Sequence, residues 1–227
     1  LLAVISATAI TVGVCEGGRW RTGVHVAPRF AAPEFLRGVI LAAILIGAAD
    51  GLIELASGVR HARGNGFPWL ELVAVFIPAA LHEELAFRGY VFQKLRTWRR
   101  EAGYAFSAIV FALLHANNDG LTIIAVVNII LAGVLLAQAY ERYERLWFPI
   151  GIHLAWNVFS GPILGYPVSG FVPATSVLTV TLSGPRWITG GLFGIEGSVW
   201  IAVVEIAAII GLGYHPPRTP AKEQSSP

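Results

Sequence analysis

Three short polar runs interrupt the apolar stretches of this sequence, and their residue types could do chemistry. The first is Leu81-His82-Glu83-Glu84-Leu85-Ala86-Phe87-Arg88. The second is Phe111-Ala112-Leu113-Leu114-His115, and the third is His153-Leu154-Ala155-Trp156-Asn157. At the centre of a bilayer each ionised side chain costs about 2.5–3.5 kcal/mol, so Glu83, Glu84 and Arg88 left unpaired would cost roughly 8–10 kcal/mol. A helix that keeps them needs compensation and a use. Glu84 and Arg88, four residues apart, share a helical face and can pair. Glu83 points about 100° away from them, free to face a cavity. Glu84 and Arg88 therefore read as a buried brace and Glu83 as the reactive carboxylate. Phe111 lies one turn below His115, and His153 and Asn157 share a face. A free carboxylate beside two imidazoles supplies the parts of acid–base catalysis, or of a metal site built from Glu83 or Glu84 with His115 and His153.

Each run has a plainer reading by itself. A single intramembrane histidine often only bridges helices, and Glu84 with Arg88 is explained by pairing alone. Three such runs in three different spans make the purely structural explanation improbable. Asp50 and Glu54 on one face of the second span, Asn128 in the fifth and Glu205 in the last read as packing or hydration residues. His82-Glu83 does not begin an H-E-x-x-H zinc helix, because position 86 is alanine.

The elements that must hold these residues are hydrophobic spans. The chain is 55% hydrophobic and only 13% charged, against about a quarter charged in a soluble domain. Seven apolar segments near bilayer-spanning length can be read, at 1–14, 36–56, 67–92, 102–116, 121–140, 147–165 and 198–214. They predict an all-α, polytopic transmembrane bundle of about seven spans. The chain opens at Leu1 inside an apolar run and contains no methionine, so the first span is expected to be truncated. Counted inward from the presumed cytoplasmic ends at 1.5 Å per residue, Glu83, His115 and His153 lie at similar depths, roughly 10–20 Å, and can meet. The fourth segment is too short to cross the membrane, which predicts a break at Asn117-Asn118-Asp119-Gly120 lining a wet cavity or buried in protein. One domain, 1–214 with its motif core at 67–165, is followed by a Pro-rich, polar tail at 215–227 expected to be cytoplasmic and disordered.

Charge sets the orientation and removes other classes. Of the 16 basic residues, 12 fall on one side of the alternating loops, 3 on the other, and Arg88 lies within a span. The positive-inside rule then puts the C-terminus and the Lys94–Arg100 loop in the cytoplasm. A net charge of +2 and the lack of a basic stripe argue against nucleic acid, and the lone Cys15 leaves no internal disulfide. Fourteen arginines against two lysines, with abundant Ala and Gly, suggest a bacterial source, hence the inner (plasma) membrane.

The ordered set E-E-x-x-x-R at Glu83–Arg88, F-x-x-x-H at Phe111–His115 and H-x-x-x-N at His153–Asn157 resembles the CAAX protease and bacteriocin-processing family. That family is also called the Abi family and includes the Ras-converting CAAX endopeptidases. The resemblance covers roughly 67–165. It implies a helical bundle whose catalytic cavity opens to the cytoplasm, and endopeptidase activity on peptide or membrane-protein substrates. It further implies that Glu83 with His115 activates a water, that His153 with Asn157 holds the oxyanion, and that no cofactor is needed. The segment Gly165–Gly197 has no part in the motifs and reads as a compact outer loop or a lid. Three rival readings remain: a zinc peptidase using Glu83, His115 and His153; a bacteriocin-immunity protein or scaffold on the same fold; and a proton-coupled transporter, against which no inverted repeat is evident.

Overall fold

A computed structural model describes residues 28–213 together with Ser6. The expected span at 1–14, apart from Ser6, and the expected tail at 215–227 lie outside the described residues. Helix α1 runs Pro28–Ala56 and leads into strand β1, Arg60–Arg63. The third apolar segment is a succession of turns: α2 at Trp69–Glu71, a π turn at Leu72–Phe76, α3 at Ile77–Glu84, a second π turn at Leu85–Gly89, and α4 at Tyr90–Trp98. Then come α5, Arg100–Leu114; α6, Ile123–Tyr143; and α7, Trp147–Val158, which ends in a π turn at Phe159–Ile163. Strand β2, Leu178–Thr181, pairs antiparallel with β1, with His61 opposite Val180. A short α8, Arg186–Thr189, and two 3-10 turns at Gly191–Phe193 and Ile195–Gly197 precede α9, Val199–Gly213. The molecule is thus essentially all-α, with one two-stranded ribbon that the hydrophobic pattern did not announce.

Prolines account for two of the three π turns. Pro78 has no amide hydrogen, and its ring crowds the carbonyl of Ala74, which lies inside the turn Leu72–Phe76. Pro162 acts likewise on Val158, the last residue of α7. The turn Leu85–Gly89 contains no proline and ends at Gly89, whose ψ of −123° lies outside helical geometry. It begins directly after Glu84 and holds Arg88, so the wound backbone changes pitch within the first motif.

The helices pack through small residues and carry apolar side chains on both faces. A Cβ on Gly38 of α1 would lie 2.4 Å from the Phe148 carbonyl oxygen, and one on Gly151 of α7 2.2 Å from that of Phe35. Glycine on both sides lets α1 and α7 approach backbone to backbone, as in membrane helix pairs. The main core joins α1, α6, α7 and α9 through residues such as Ile46, Ile53, Leu135, Ile152 and Ile201. Outward, Leu36, Ile40 and Ile44 of α1, Ile109 and Leu113 of α5, Ile123 of α6 and Ile210 of α9 are exposed. Meanwhile Glu84, Arg88, Asn128 and Glu205 are each at most 1% exposed. Apolar side chains outside and charges within suit a lipid surround better than water. Helices Phe30–Ala56 and Ile123–Tyr143 are long and apolar enough to cross a membrane.

Ion pairs gather at the basic ends of α4, α5 and α6. Arg100 grips Glu141 through Nε and Nη2, at 2.8 Å for the shorter contact, and Tyr104 donates to the same carboxylate. Arg96 pairs with Glu144, and Arg145 with Glu34 of α1. The other ends are tied by Thr122, whose hydroxyl accepts the Ala125 amide and caps α6.

Candidate active site

The brace read from the sequence is a three-residue chain. Arg88 Nη1 donates to Glu84 Oε1 at 2.9 Å, with both side chains fully buried, and Arg88 Nη2 reaches the Gly133 carbonyl at 3.3 Å. The same Glu84 oxygen lies 2.8 Å from Nδ1 of His153, on α7. A carboxylate already paired with arginine accepts there, so Nδ1 carries the proton and donates to Glu84. Nε2 is thereby turned toward Glu83, whose Oε2 lies 3.8 Å away. Glu84 thus orients the histidine, as a buried acid fixes an imidazole in hydrolytic triads.

His115 sits at the end of α5, where the helix stops at Leu114 and a run of turns follows through Gly120. The predicted break is therefore present, starting two residues earlier. His115 Nδ1 donates to the Phe111 carbonyl at 2.8 Å, which leaves Nε2 bare as an acceptor. Phe111 is the partition between the two imidazoles: its ring centre is 4.9 Å from that of His115 and 5.9 Å from that of His153. The Arg88 guanidinium lies 4.6 Å over the same ring. Glu83 and His115 share no hydrogen bond, and Glu83 Oε2 is buried without a partner.

Glu83, Phe111, His115, His153 and Asn157 all line one cavity of about 250 Å³. Its walls are otherwise mainly apolar, with Phe76, Ile129, Leu136, Ile152 and Trp156 among them. Glu84 and Arg88 do not line it; they lie behind His153. A partnerless carboxylate, a bare imidazole nitrogen and an amide on one apolar cavity can remove a proton from water and hydrogen-bond a developing negative charge.

The sequence missed one wall. Val168, Ser169, Phe171 and Glu196, all from Gly165–Gly197, line the cavity, so the segment read as an outer loop or lid is compact and also encloses the site. Glu196 fastens it: one carboxylate oxygen accepts from Trp156 Nε1 at 3.1 Å, the other from Ser169 N and Oγ at 2.6 and 2.7 Å. Asn128 donates to the Glu196 and Ser198 carbonyls, and Asn118 to that of Ser169. The available signal was a lone acid in the otherwise uncharged stretch from Ile188 to Ile201. Glu205 and Asn128, read as packing residues, also line the cavity.

For a metal, Glu83, His115 and His153 do not converge. Among the described residues, the group with three donor atoms within 4.8 Å of one another is Asp50, Glu54 and His61, away from the cavity. There His61 Nε2 lies 3.0 Å from Asp50 and 3.8 Å from Glu54. Tyr166 donates to Asp50 at 2.7 Å, its phenol held protonated far above the usual range by burial and by that carboxylate. His61 comes from β1, and sequence spacing alone gave no reason to join it to α1.

Residues 65–159, a segment that spans all three motifs, match the sequence profile of the family described as Type II CAAX prenyl endopeptidase Rce1-like. Over this segment the chain is similar to that family of membrane peptidases. No curated protein and no solved structure matches the chain.

Proposed function

We propose, for a chain whose residues 65–159 match the Rce1-like family, that it is an intramembrane endopeptidase of the glutamate type, acting on membrane-associated peptides or proteins. The observation that carries this is the partnerless Glu83 carboxylate on one cavity with His115, His153 and Asn157. Glu83 takes a proton from a water as the water oxygen bonds to the scissile carbonyl carbon. His153 and Asn157 donate to the resulting oxyanion. Because Nδ1–H of His153 faces Glu84, Nε2 donates to the oxyanion only when it too carries a proton. The C–N bond then breaks and the leaving amine receives the proton, with His115 Nε2 able to relay it from Glu83. This reading calls on no metal: Glu83 serves as the base, and His153 with Asn157 as the oxyanion donors.

Asn157→Ala is expected to lower kcat by about 10²–10³-fold with little change in substrate affinity, and chelators to leave wild-type activity intact. Stoichiometric zinc in active protein, lost with His115→Ala or His153→Ala and restoring activity to stripped enzyme, would overturn this assignment.

The helical stretches within 28–213, with the apolar segment 1–14 before them, support seven spans, and the bias of basic residues supports a cytoplasmic C-terminus in the cell inner membrane. A reporter fused after Arg100 should then read as cytoplasmic and one near Ser183 as external. The reverse at both positions contradicts the orientation.

A further inference from the structure

The cavity is also lined by acceptors that have no hydrogen-bond partner among the described residues. Glu205 of α9 is 1% exposed and its Oε2 has no hydrogen-bond partner. Asn128 of α6 is equally buried; its amide nitrogen is committed to two carbonyls, and its Oδ1 is likewise unpartnered. Glu196 lines the cavity too, one carboxylate oxygen accepting from Trp156 Nε1 and the other from Ser169 N and Oγ. All three residues line the same cavity as Glu83. The acids that line this cavity are Glu83, Glu196 and Glu205, against the imidazoles of His115 and His153, and Arg88 does not line it. Arg88 is used on Glu84 and shielded from the cavity by Phe111. A buried carboxyl oxygen and a buried amide oxygen on one cavity, each without a donor, are costly unless something that enters supplies one.

We propose that Glu205, with Asn128 Oδ1 and Glu196, forms a subsite for a cationic group of the peptide substrate, an alkylammonium or guanidinium such as a Lys or Arg side chain. Such a group brings several N–H donors to the unpartnered oxygens of Glu205 and Asn128, and a positive charge to a cavity lined by three carboxyl groups. The walls leading to it are apolar, as the methylene stem of such a side chain requires. The inference rests on the peptidase reading for the source of the cation, though the site itself does not depend on turnover.

The test uses the full chain in detergent micelles and an acetylated, amidated undecapeptide of Ala and Leu with one central Lys, against its norleucine twin. In Glu83→Gln protein, which holds peptide without cutting it, the lysine peptide is expected to bind on the order of 10²-fold tighter than the twin. Adding Glu205→Gln should remove that difference, and wild type should show the same preference in kcat/KM. Should Glu205→Gln or Glu205→Leu not fold, the lysine-to-norleucine ratio in wild type decides alone. Tight binding of an unacetylated norleucine peptide supports the site and assigns its cation to a substrate amino terminus. If neither peptide is cut while the lysine peptide binds selectively, the peptidase reading fails and the subsite stands. Equal binding of both twins, or a lysine preference that survives both Glu205 variants, overturns the proposal.

Discussion

Glu83→Gln is expected to lower peptide cleavage by roughly 10⁴-fold, at the upper end of what a general base contributes, while folded protein accumulates as for wild type. Gln keeps the volume and loses only the basic oxygen. Glu83 Oε2 has no hydrogen bond to lose, His153 Nε2 stands 3.8 Å away, and its side chain is 22% exposed, so less stability rides on its charge than on that of the fully buried Glu84. Cleavage rates on purified protein, set beside thermal unfolding of the same preparation, separate the two effects. A variant that retains activity removes Glu83 from the reaction.

The second large effect falls on the fold. Arg88→Ala leaves the Glu84 carboxylate fully buried without its cation, and the expected loss is about 3–5 kcal/mol. It also empties the space over Phe111 and frees the Gly133 carbonyl. Glu84→Gln should destabilise the fold by a similar route, since Arg88 is 0% exposed and keeps only the carbonyl. It should cost activity as well, because His153 loses the acceptor that fixes its Nδ1 proton. Thermal denaturation in detergent checks the first expectation. Glu83→Gln and Arg88→Ala equal in their loss of fold would erase the distinction between reactive residue and brace.

What sequence made legible was periodic and local. Glu84 and Arg88 at i, i+4 form the expected pair, and the stop after Leu114 follows from a polar run that no apolar helix could continue. Six apolar segments between 36 and 214 correspond to helical stretches because chain-long hydrophobicity is a strong signal. The π turns were hidden, since a pitch change at Leu85–Gly89 depends on how α3 packs and leaves no mark of its own in residue types. The contact of Glu84 with His153 spans 69 residues and two helices, so spacing could not show that the brace also orients an imidazole. Glu196 and Ser169 escaped for the same reason: a wall made by a Gly- and Pro-rich segment carries no period to read. His61 joins Asp50 only because β1 folds back against the end of α1.

The most direct test of the endopeptidase account is mass spectrometry of membrane-anchored peptides incubated with the purified chain in proteoliposomes, beside Glu83→Gln protein prepared identically. The account predicts paired fragments summing to the substrate plus one water, from wild type only and undiminished by chelator. Fragments from neither protein, or the same fragments from both, would contradict it.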